Sequence, residues 1–239
     1  MQPELRDILF LDIETVAGTY EFSLLNERLK TQWSRKASFF RREEGQTDED
    51  LYHERAGIYA EFGKIVCIAV GKYIENESGE LVLRTKAYFG DDEKLLLSEF
   101  KAMLEKIDPA NLKLCAHNGK EFDFPYLSRR MLVNCIPLPY ALNLSGKKPW
   151  EIHHLDTMEL WKFGDYKHFT SLDLLAAIFD VPTSKSDIDG SRVNHVYHVE
   201  KDLVKIRDYC LRDVEVLARL FLKLKCISLD RDLIVQHTL

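Results

Sequence analysis

The sequence predicts an α/β fold built on a mixed five-stranded sheet with helices on both faces. Two observations lead to this prediction. Three β-prone apolar segments come first, and the second and third are joined by the turn-forming residues Asn76–Gly79. Helical and strand-like patterns then alternate along the rest of the chain, as in a sheet covered on both faces. The predicted strands are Ile8–Glu14, Lys64–Ile74, Leu81–Phe89, Leu112–Ala116 and Ile152–Asp156.

Helices are predicted where apolar residues recur with a helical period and a capping residue precedes them. Asp91 and Ser171 are the predicted caps of two of these helices. The polar stretch at about residues 20–60 is interpreted as a helical excursion from one domain that spans residues 1–239. This order of elements fits a ribonuclease H-like topology. The predicted helices cover about 22–44, 50–57, 91–107, 124–134, 171–179 and 200–224, with a short one ending near 161.

Composition limits the classes of protein to consider. The formal net charge is −6, so nucleic-acid contact would need local basic patches or cations bound by the acids. The five cysteines are scattered without a CxxC pair, which indicates a reducing compartment and excludes a disulfide framework. No apolar run approaches the about 20 residues of a membrane span, and no signal-peptide pattern is present. We therefore expect a soluble cytoplasmic protein with no membrane partner.

Asp12 and Glu14 form the first candidate motif. They lie two residues apart on a predicted strand, so their side chains share one face of the sheet. Two like charges at the end of a buried strand are unfavourable without a counter-charge, and a hard divalent cation would supply it. The alternative is that the strand frays at Asp12 and both acids are solvated.

Two further motifs contain an acid in a similar context. Asp123 follows the fourth strand and precedes a helix, at the strand ends where ligands collect in α/β sheets. Tyr209 and Asp213 are four residues apart in the last helix, so they are neighbours on one face. A helix cap at Asp123 and an ordinary ion pair at Asp213 remain the alternatives. All three motifs together, in this order, favour a shared metal site.

The set Asp12, Glu14, Asp123, Tyr209 and Asp213 resembles the three motifs of DEDDy, or DnaQ-like, 3′–5′ exonucleases. Within that group, the chain is most similar to the proofreading domain of family B DNA polymerases. Asn118 to Asp123 resembles its second motif, and Glu61 to Val66 is also similar. The chain particularly resembles stand-alone, predicted bacterial exonucleases, over roughly Ile8 to Leu224. Asp208 stands where the histidine branch has its histidine, so the tyrosine branch matches better.

The resemblance implies a mechanism and a substrate. Asp12, Glu14, Asp123 and Asp213 would hold two divalent cations, Mg²⁺ or Mn²⁺, and Tyr209 would orient the attacking water. Nucleoside 5′-monophosphates would leave the 3′ end of nucleic acid, expected to be single-stranded DNA. An association with polymerase or repair proteins is compatible with this role. The candidate substrate contacts are Thr15, Asn118 and Phe122.

Alternatives stay open at this point. The enzyme could be an exoribonuclease of the ribonuclease D type, or a catalytically silent nucleic-acid-binding module that keeps the fold. Phe122 could be a core residue instead of a base-stacking one. Residues His153–His154 and His195–His198 have a poor spacing for zinc, so satisfied or surface histidines are expected. Basic pairs that could contact nucleic acid, or be solvated helix faces, are Arg35–Lys36, Arg41–Arg42, Arg129–Arg130 and Lys147–Lys148.

Overall fold

The structure is a computed structural model that describes residues 3–165, 169–183, 188–229 and 232–238. Its centre is a six-stranded sheet in the order β5-β4-β1-β2-β3-β6. Strands β1, β2 and β3 pair antiparallel, whereas β4, β5 and β6 join by parallel pairings, so the sheet is mixed as predicted. The strands are β1 Ile8–Ala17, β2 Gly63–Glu75, β3 Leu81–Phe89, β4 Lys113–Ala116, β5 Leu155–Asp156 and β6 Ile234–His237.

The prediction of five strands was wrong by one. Strand β6 pairs parallel with β3, from Val82↔Ile234 to Thr85↔His237. It has only four residues, and most of its side chains are exposed, so it carries no apolar alternation that would mark a strand. Its position along the edge of β3 depends on tertiary pairing.

Helices cover both faces of the sheet, as predicted. On one face lies an apolar cluster around Phe10, Ala69 and Cys210. On the other face lies an apolar cluster around Leu11, Phe100 and Leu127. Among the described residues, no helix combines the length and apolar character needed to cross a bilayer. The helices are α1 Pro3–Arg6, α2 Glu27–Ala37, α3 Asp48–Arg55, α4 Glu93–Leu104, α5 Asp123–Val133, α6 Thr157–Lys162, α7 Leu172–Ile178, α8 Val193–His195 and α9 Leu203–Leu224.

One of the two predicted caps was placed one residue too early. Asp92, not Asp91, has the extended backbone of a cap, and its side chain accepts a hydrogen bond from the Leu95 amide at 3.0 Å. Asp91 instead accepts a hydrogen bond from the Tyr197 hydroxyl at 2.7 Å. Ser171 caps α7 as predicted.

The stretch at residues 20–60 contains α2 and α3, packed around the fully buried Trp33. The indole of Trp33 donates to the Asp48 carbonyl at 2.8 Å, and its ring meets Tyr52 edge to face. A reciprocal capping box between Thr47 and Asp50 begins α3. These contacts order the two helices around one aromatic side chain.

Candidate active site

The first acidic pair lies on β1, on the sheet face that α9 covers. Phe10 belongs to the core cluster on that face, whereas Leu11 and Ile13 belong to the opposite one. The period of two therefore places Asp12 and Glu14 beside α9. The pairing of β1 with β2 shifts register between Glu14 and Thr15, so a bulge follows the pair directly. Bulges of this kind re-aim side chains at functional sites.

Helix α9 brings the third motif against this pair. Its Cys210 thiol lies 3.3 Å from Oδ2 of Asp12, which fixes the rotation of the helix relative to β1. The Tyr209 hydroxyl hydrogen-bonds the Asp213 carboxylate, as the spacing of four residues predicts. Tyr209 and Asp213 are both buried, at 7% and 9% exposure. The carboxylate of Asp213 lies near enough to Asp12 and Glu14 to repel both.

The second motif begins in the loop that follows β4. Asn118 adopts a left-handed backbone, with φ of 63°, and Gly119 makes the close approach that continues the turn. A Cβ at Gly119 would lie 2.4 Å from the Cβ of Ala116, so only glycine fits here. The turn delivers Asp123 to the first position of α5, where it is 4% exposed. The backbone amide of Ile13 donates to its carboxylate, which joins the second motif to the first.

Asp156 holds this turn in place, and the sequence analysis did not select it. Its carboxylate accepts from the backbone amides of Asn118 at 2.9 Å and Lys120 at 3.1 Å. It also caps α6 through the amides of Met158 and Glu159, at 2.9 and 3.4 Å. An acid at the end of the predicted fifth strand was the available signal. The two loops that it joins are nearly 40 residues apart in the sequence, so their contact could not be read locally.

The carboxyl groups perturb one another. Burial raises the pKa of Asp12 well above its usual range, and the neighbouring Asp213 and Asp123 add to the effect. The pKa of Glu14 is also raised, first by burial and then by Asp12 and Asp213. Burial raises the pKa of Asp123 to about 7, against the lowering effect of its backbone hydrogen bonds. A bound cation would reverse this penalty, because opposite charge favours the ionised form.

The donor atoms fit a divalent cation. Ligand atoms of Asp12, Glu14 and Cys210 all lie within 4.8 Å of one another. Asp123 and Asp213 extend the set with two more carboxylates that interact with Asp12. Mg²⁺ and Mn²⁺ prefer such oxygen ligands. The acidic residues can therefore hold cations beside the middle of β1.

The expected substrate contacts have different surroundings. Thr15 hydrogen-bonds the Tyr126 hydroxyl, which also donates to the Gly57 carbonyl at 2.7 Å. The ring centroid of Phe122 lies 5.3 Å from that of Tyr126, and the side chain packs against the core cluster around Leu11. Phe122 is therefore partly a core residue. The Oδ1 atom of Asn118 is buried, and no partner for it exists among the described residues.

Two of the candidate residues, Arg130 and His154, already have hydrogen-bond partners within the protein. Arg130 donates to Glu93 at 2.6 Å and to the Ala60 carbonyl at 2.9 Å, so it braces the fold instead of facing a substrate. His154 is buried, with one ring nitrogen beside the Leu114 amide and the other beside the Ala141 carbonyl. This matches the expectation of a satisfied histidine.

The chain matches a family of predicted exonucleases. A family model described as a predicted 3′–5′ exonuclease related to the exonuclease domain of PolB matches residues 58–233, roughly three quarters of the chain. The match includes Asp123, Tyr209 and Asp213, and it begins after Asp12 and Glu14. A search of the curated proteins found no match.

A solved structure supports the fold. The family B DNA polymerase from the hyperthermophilic archaeon Pyrobaculum calidifontis superimposes with a TM-score of 0.55 and 16% sequence identity. The superposition covers 91% of this chain and 24% of the polymerase chain. The ribonuclease H-like arrangement predicted from the order of elements is thereby confirmed. The chain belongs to the family of predicted 3′–5′ exonucleases related to the exonuclease domain of PolB.

Proposed function

We propose that the protein is a metal-dependent 3′–5′ exonuclease that releases nucleoside 5′-monophosphates from the 3′ end of single-stranded DNA. One observation carries the proposal. Four carboxylates from three separated segments converge beside the middle of β1, and the Tyr209 hydroxyl lies against one of them. Burial raises the pKa values of Asp12, Glu14 and Asp123, and several raised pKa values in one place are typical of a functional site. Family membership supports nucleic acid as the substrate class.

Asp12, Glu14, Asp123 and Asp213 would hold two divalent cations, Mg²⁺ or Mn²⁺. When bound, these cations supply an activated water and stabilise charge on the leaving oxygen of the phosphodiester. The residues themselves keep the oxygen ligands close together in a buried setting, where electrostatic interactions are stronger than in water. The bulge after Glu14 and the Ile13 amide hold the first and second motifs in register.

Tyr209 would orient the attacking water. Burial raises the pKa of its hydroxyl above the usual value, and the neighbouring Asp213 adds to this effect. The hydroxyl is therefore neutral at physiological pH, where it donates one hydrogen bond to Asp213 and keeps a lone pair for the water. This favours positioning of the water over removal of its proton.

Substrate contacts are assigned to Thr15, Asn118 and Phe122. The Oδ1 of Asn118 is buried and lacks a partner among the described residues, so its side chain would have to rotate outward to accept a hydrogen bond from a hydroxyl of the terminal sugar. Phe122 is half-buried, so one edge of its ring is available to a terminal base. A cytoplasmic location and an association with polymerase or repair proteins stay predictions.

The test uses 5′-labelled single-stranded DNA and RNA of one sequence with Mg²⁺, Mn²⁺ or EDTA. We expect a metal-dependent ladder that shortens from the 3′ end of DNA and is absent in Asp12→Ala/Glu14→Ala. The control is Glu27→Ala, since the Glu27 side chain is 88% exposed on α2 and is not one of the proposed ligands. Faster cleavage of RNA would identify an exoribonuclease. No cleavage by the folded protein would leave a silent binding module.

A further inference from the structure

Two buried thiols lie against the acidic pair, and the proposed hydrolysis uses neither. The Cys210 sulfur is 3.3 Å from Oδ2 of Asp12 and 3.4 Å from its carbonyl oxygen. Cys67 pairs with Glu14 across the β1–β2 ladder and forms a hydrogen bond with Cys210. Both sulfurs are fully buried. Both sulfurs therefore lie beside the acidic pair on the sheet face that α9 covers, Cys67 on β2 and Cys210 on α9.

The spacing of these atoms fits a single tetrahedral ion. Zinc bonds to sulfur at about 2.3 Å and to carboxylate oxygen at about 2.1 Å, so ligands at the tetrahedral angle lie about 3.5 Å apart. The 3.3 Å separation of the Cys210 sulfur and the Asp12 oxygen agrees with this value to within a few tenths. The oxygen of Glu14 completes a triad in which all ligand atoms lie within 4.8 Å.

We propose that Asp12, Glu14 and Cys210 form a binding site for a thiophilic divalent cation, Zn²⁺ or Cd²⁺, that competes with the cations of catalysis. Thiolate sulfur prefers such ions, whereas Mg²⁺ prefers oxygen and gains nothing from Cys210. Because Asp12 and Glu14 belong to both ligand sets, the two classes of cation exclude each other. The inference rests on the cation-binding role of Asp12 and Glu14 proposed above.

Binding involves no oxidation or reduction. The S–H bond of Cys210 breaks, its proton passes to solvent, and the sulfur lone pair forms the bond to the cation. The hydrogen bond that the thiol makes to Asp12 is replaced by shared coordination. The Cys67 thiol stays within hydrogen-bond reach of the resulting thiolate and would donate a hydrogen bond to it.

Cadmium binding tests the proposal directly. Cys135 and Cys226 are exposed and would bind cadmium themselves, so the parent protein is Cys135→Ser/Cys226→Ser. Titration of this parent with Cd²⁺ in metal-free buffer is followed by the near-ultraviolet charge-transfer absorption of a cadmium–thiolate bond. We expect one saturable site, with proton release on binding. Cys210→Ser and Cys210→Ala in this background should abolish the absorption, with circular dichroism showing that each variant is folded.

Two more variants separate the ligands from their surroundings. Asp12→Asn should weaken cadmium binding without removing the absorption, because the sulfur remains. Cys67→Ser should weaken binding by about 10-fold to 100-fold, as expected for a group that supports a ligand. No absorption in the parent, or an absorption that survives in Cys210→Ser, would overturn the proposal.

A parallel nuclease assay distinguishes this inference from the proposed function. The parent is assayed with Mn²⁺ at increasing Cd²⁺, and hydrolysis should fall over the range in which the absorption rises. A parent that binds Cd²⁺ but does not hydrolyse DNA would refute the nuclease and leave the thiol site standing. A parent that hydrolyses DNA without the cadmium absorption would refute only the thiol site.

Discussion

Replacing Asp123 by asparagine should stabilise the cation-free protein and abolish its nuclease activity. Burial raises the pKa of Asp123 from 3.8 to about 7, and the nearby Asp156 adds to this shift. A shift of this size corresponds to about 4 kcal/mol of destabilisation once the carboxyl is ionised. Asparagine has the same shape without the charge, but it can accept one hydrogen bond fewer, at a cost of about 1 kcal/mol. The net gain above pH 7 is therefore about 3 kcal/mol.

The sign of the effect depends on pH. A carboxyl whose folded-state pKa is raised contributes stability below its unfolded pKa, and this contribution is lost as pH rises through the folded value. For Asp123 the loss occurs between about pH 4 and about pH 7. Asp123→Asn should thus gain stability at pH 8 and lose about 1 kcal/mol at pH 4, where both side chains are neutral.

Urea unfolding in EDTA at both pH values measures this difference. With a slope of about 3 kcal/mol per molar urea, the midpoint of Asp123→Asn should rise by about 1 M at pH 8. Adding Mn²⁺ at 100 times its dissociation constant should stabilise the wild type by about 2.7 kcal/mol and so reduce the stability difference between Asp123→Asn and the wild type. The matched control is Asp232→Asn, since Asp232 is exposed and should change stability by less than about 0.5 kcal/mol.

Two results would refute the reasoning. One is an Asp123→Asn protein no more stable than wild type at pH 8 in EDTA. The other is an equal stability difference at pH 4 and pH 8, which would show that ionisation of Asp123 is not the cause. In the nuclease assay, the same variant should lose about 100-fold or more in rate, the size expected when an electrostatic contact to developing charge is removed.

Three further substitutions test other parts of the site. Tyr209→Phe keeps the buried ring and should lower kcat about 100-fold with little change in KM. Because burial raises the pKa of Tyr209, the wild-type pH–rate profile should show no tyrosine ionisation below about pH 10, and one there would contradict its positioning role. Asp156→Ala removes the acceptor of four backbone amides and should lower the free energy of unfolding in urea by about 3 kcal/mol. A loss below about 1 kcal/mol would show that the turn is stable without these hydrogen bonds. Glu93→Gln breaks the buried ion pair with Arg130 and should lower the free energy of unfolding by about 3 to 5 kcal/mol. Glu27→Gln breaks the exposed ion pair with Lys30 and should lower it by less than about 1 kcal/mol. Similar losses for the two variants would contradict the conclusion that burial makes the Glu93 pair more important.

Local pattern predicted most of the fold. The strands β1 to β4 match their predicted segments to within a few residues, because continuous apolar runs are local signals. Ser171 was recognised as a cap for the same reason. The failures occurred where two neighbouring residues compete or where the signal is weak. Asp91 and Asp92 are chemically identical candidates for one cap, and only the contact of Asp91 with Tyr197 separates them.

The candidate site was predicted in its chemistry but not in its surroundings. The spacings of Asp12 with Glu14 and of Tyr209 with Asp213 follow from the periods of a strand and a helix. Asp156 was missed because its importance depends on accepting hydrogen bonds from a turn far away in the chain. Arg130 was considered a basic surface residue, whereas its guanidinium is tied to the buried Glu93.

The sequence by itself determined which ionisable groups the protein contains, which strand or helix carries each one, and which of them share a face. These properties follow from backbone periodicity, which acts over a few residues. Only the tertiary structure decided that Cys210 lies against Asp12 and that Asp156 fastens the turn before Asp123. Such contacts join segments far apart in the chain, because burial of the apolar faces of β1 and α9 brings them together.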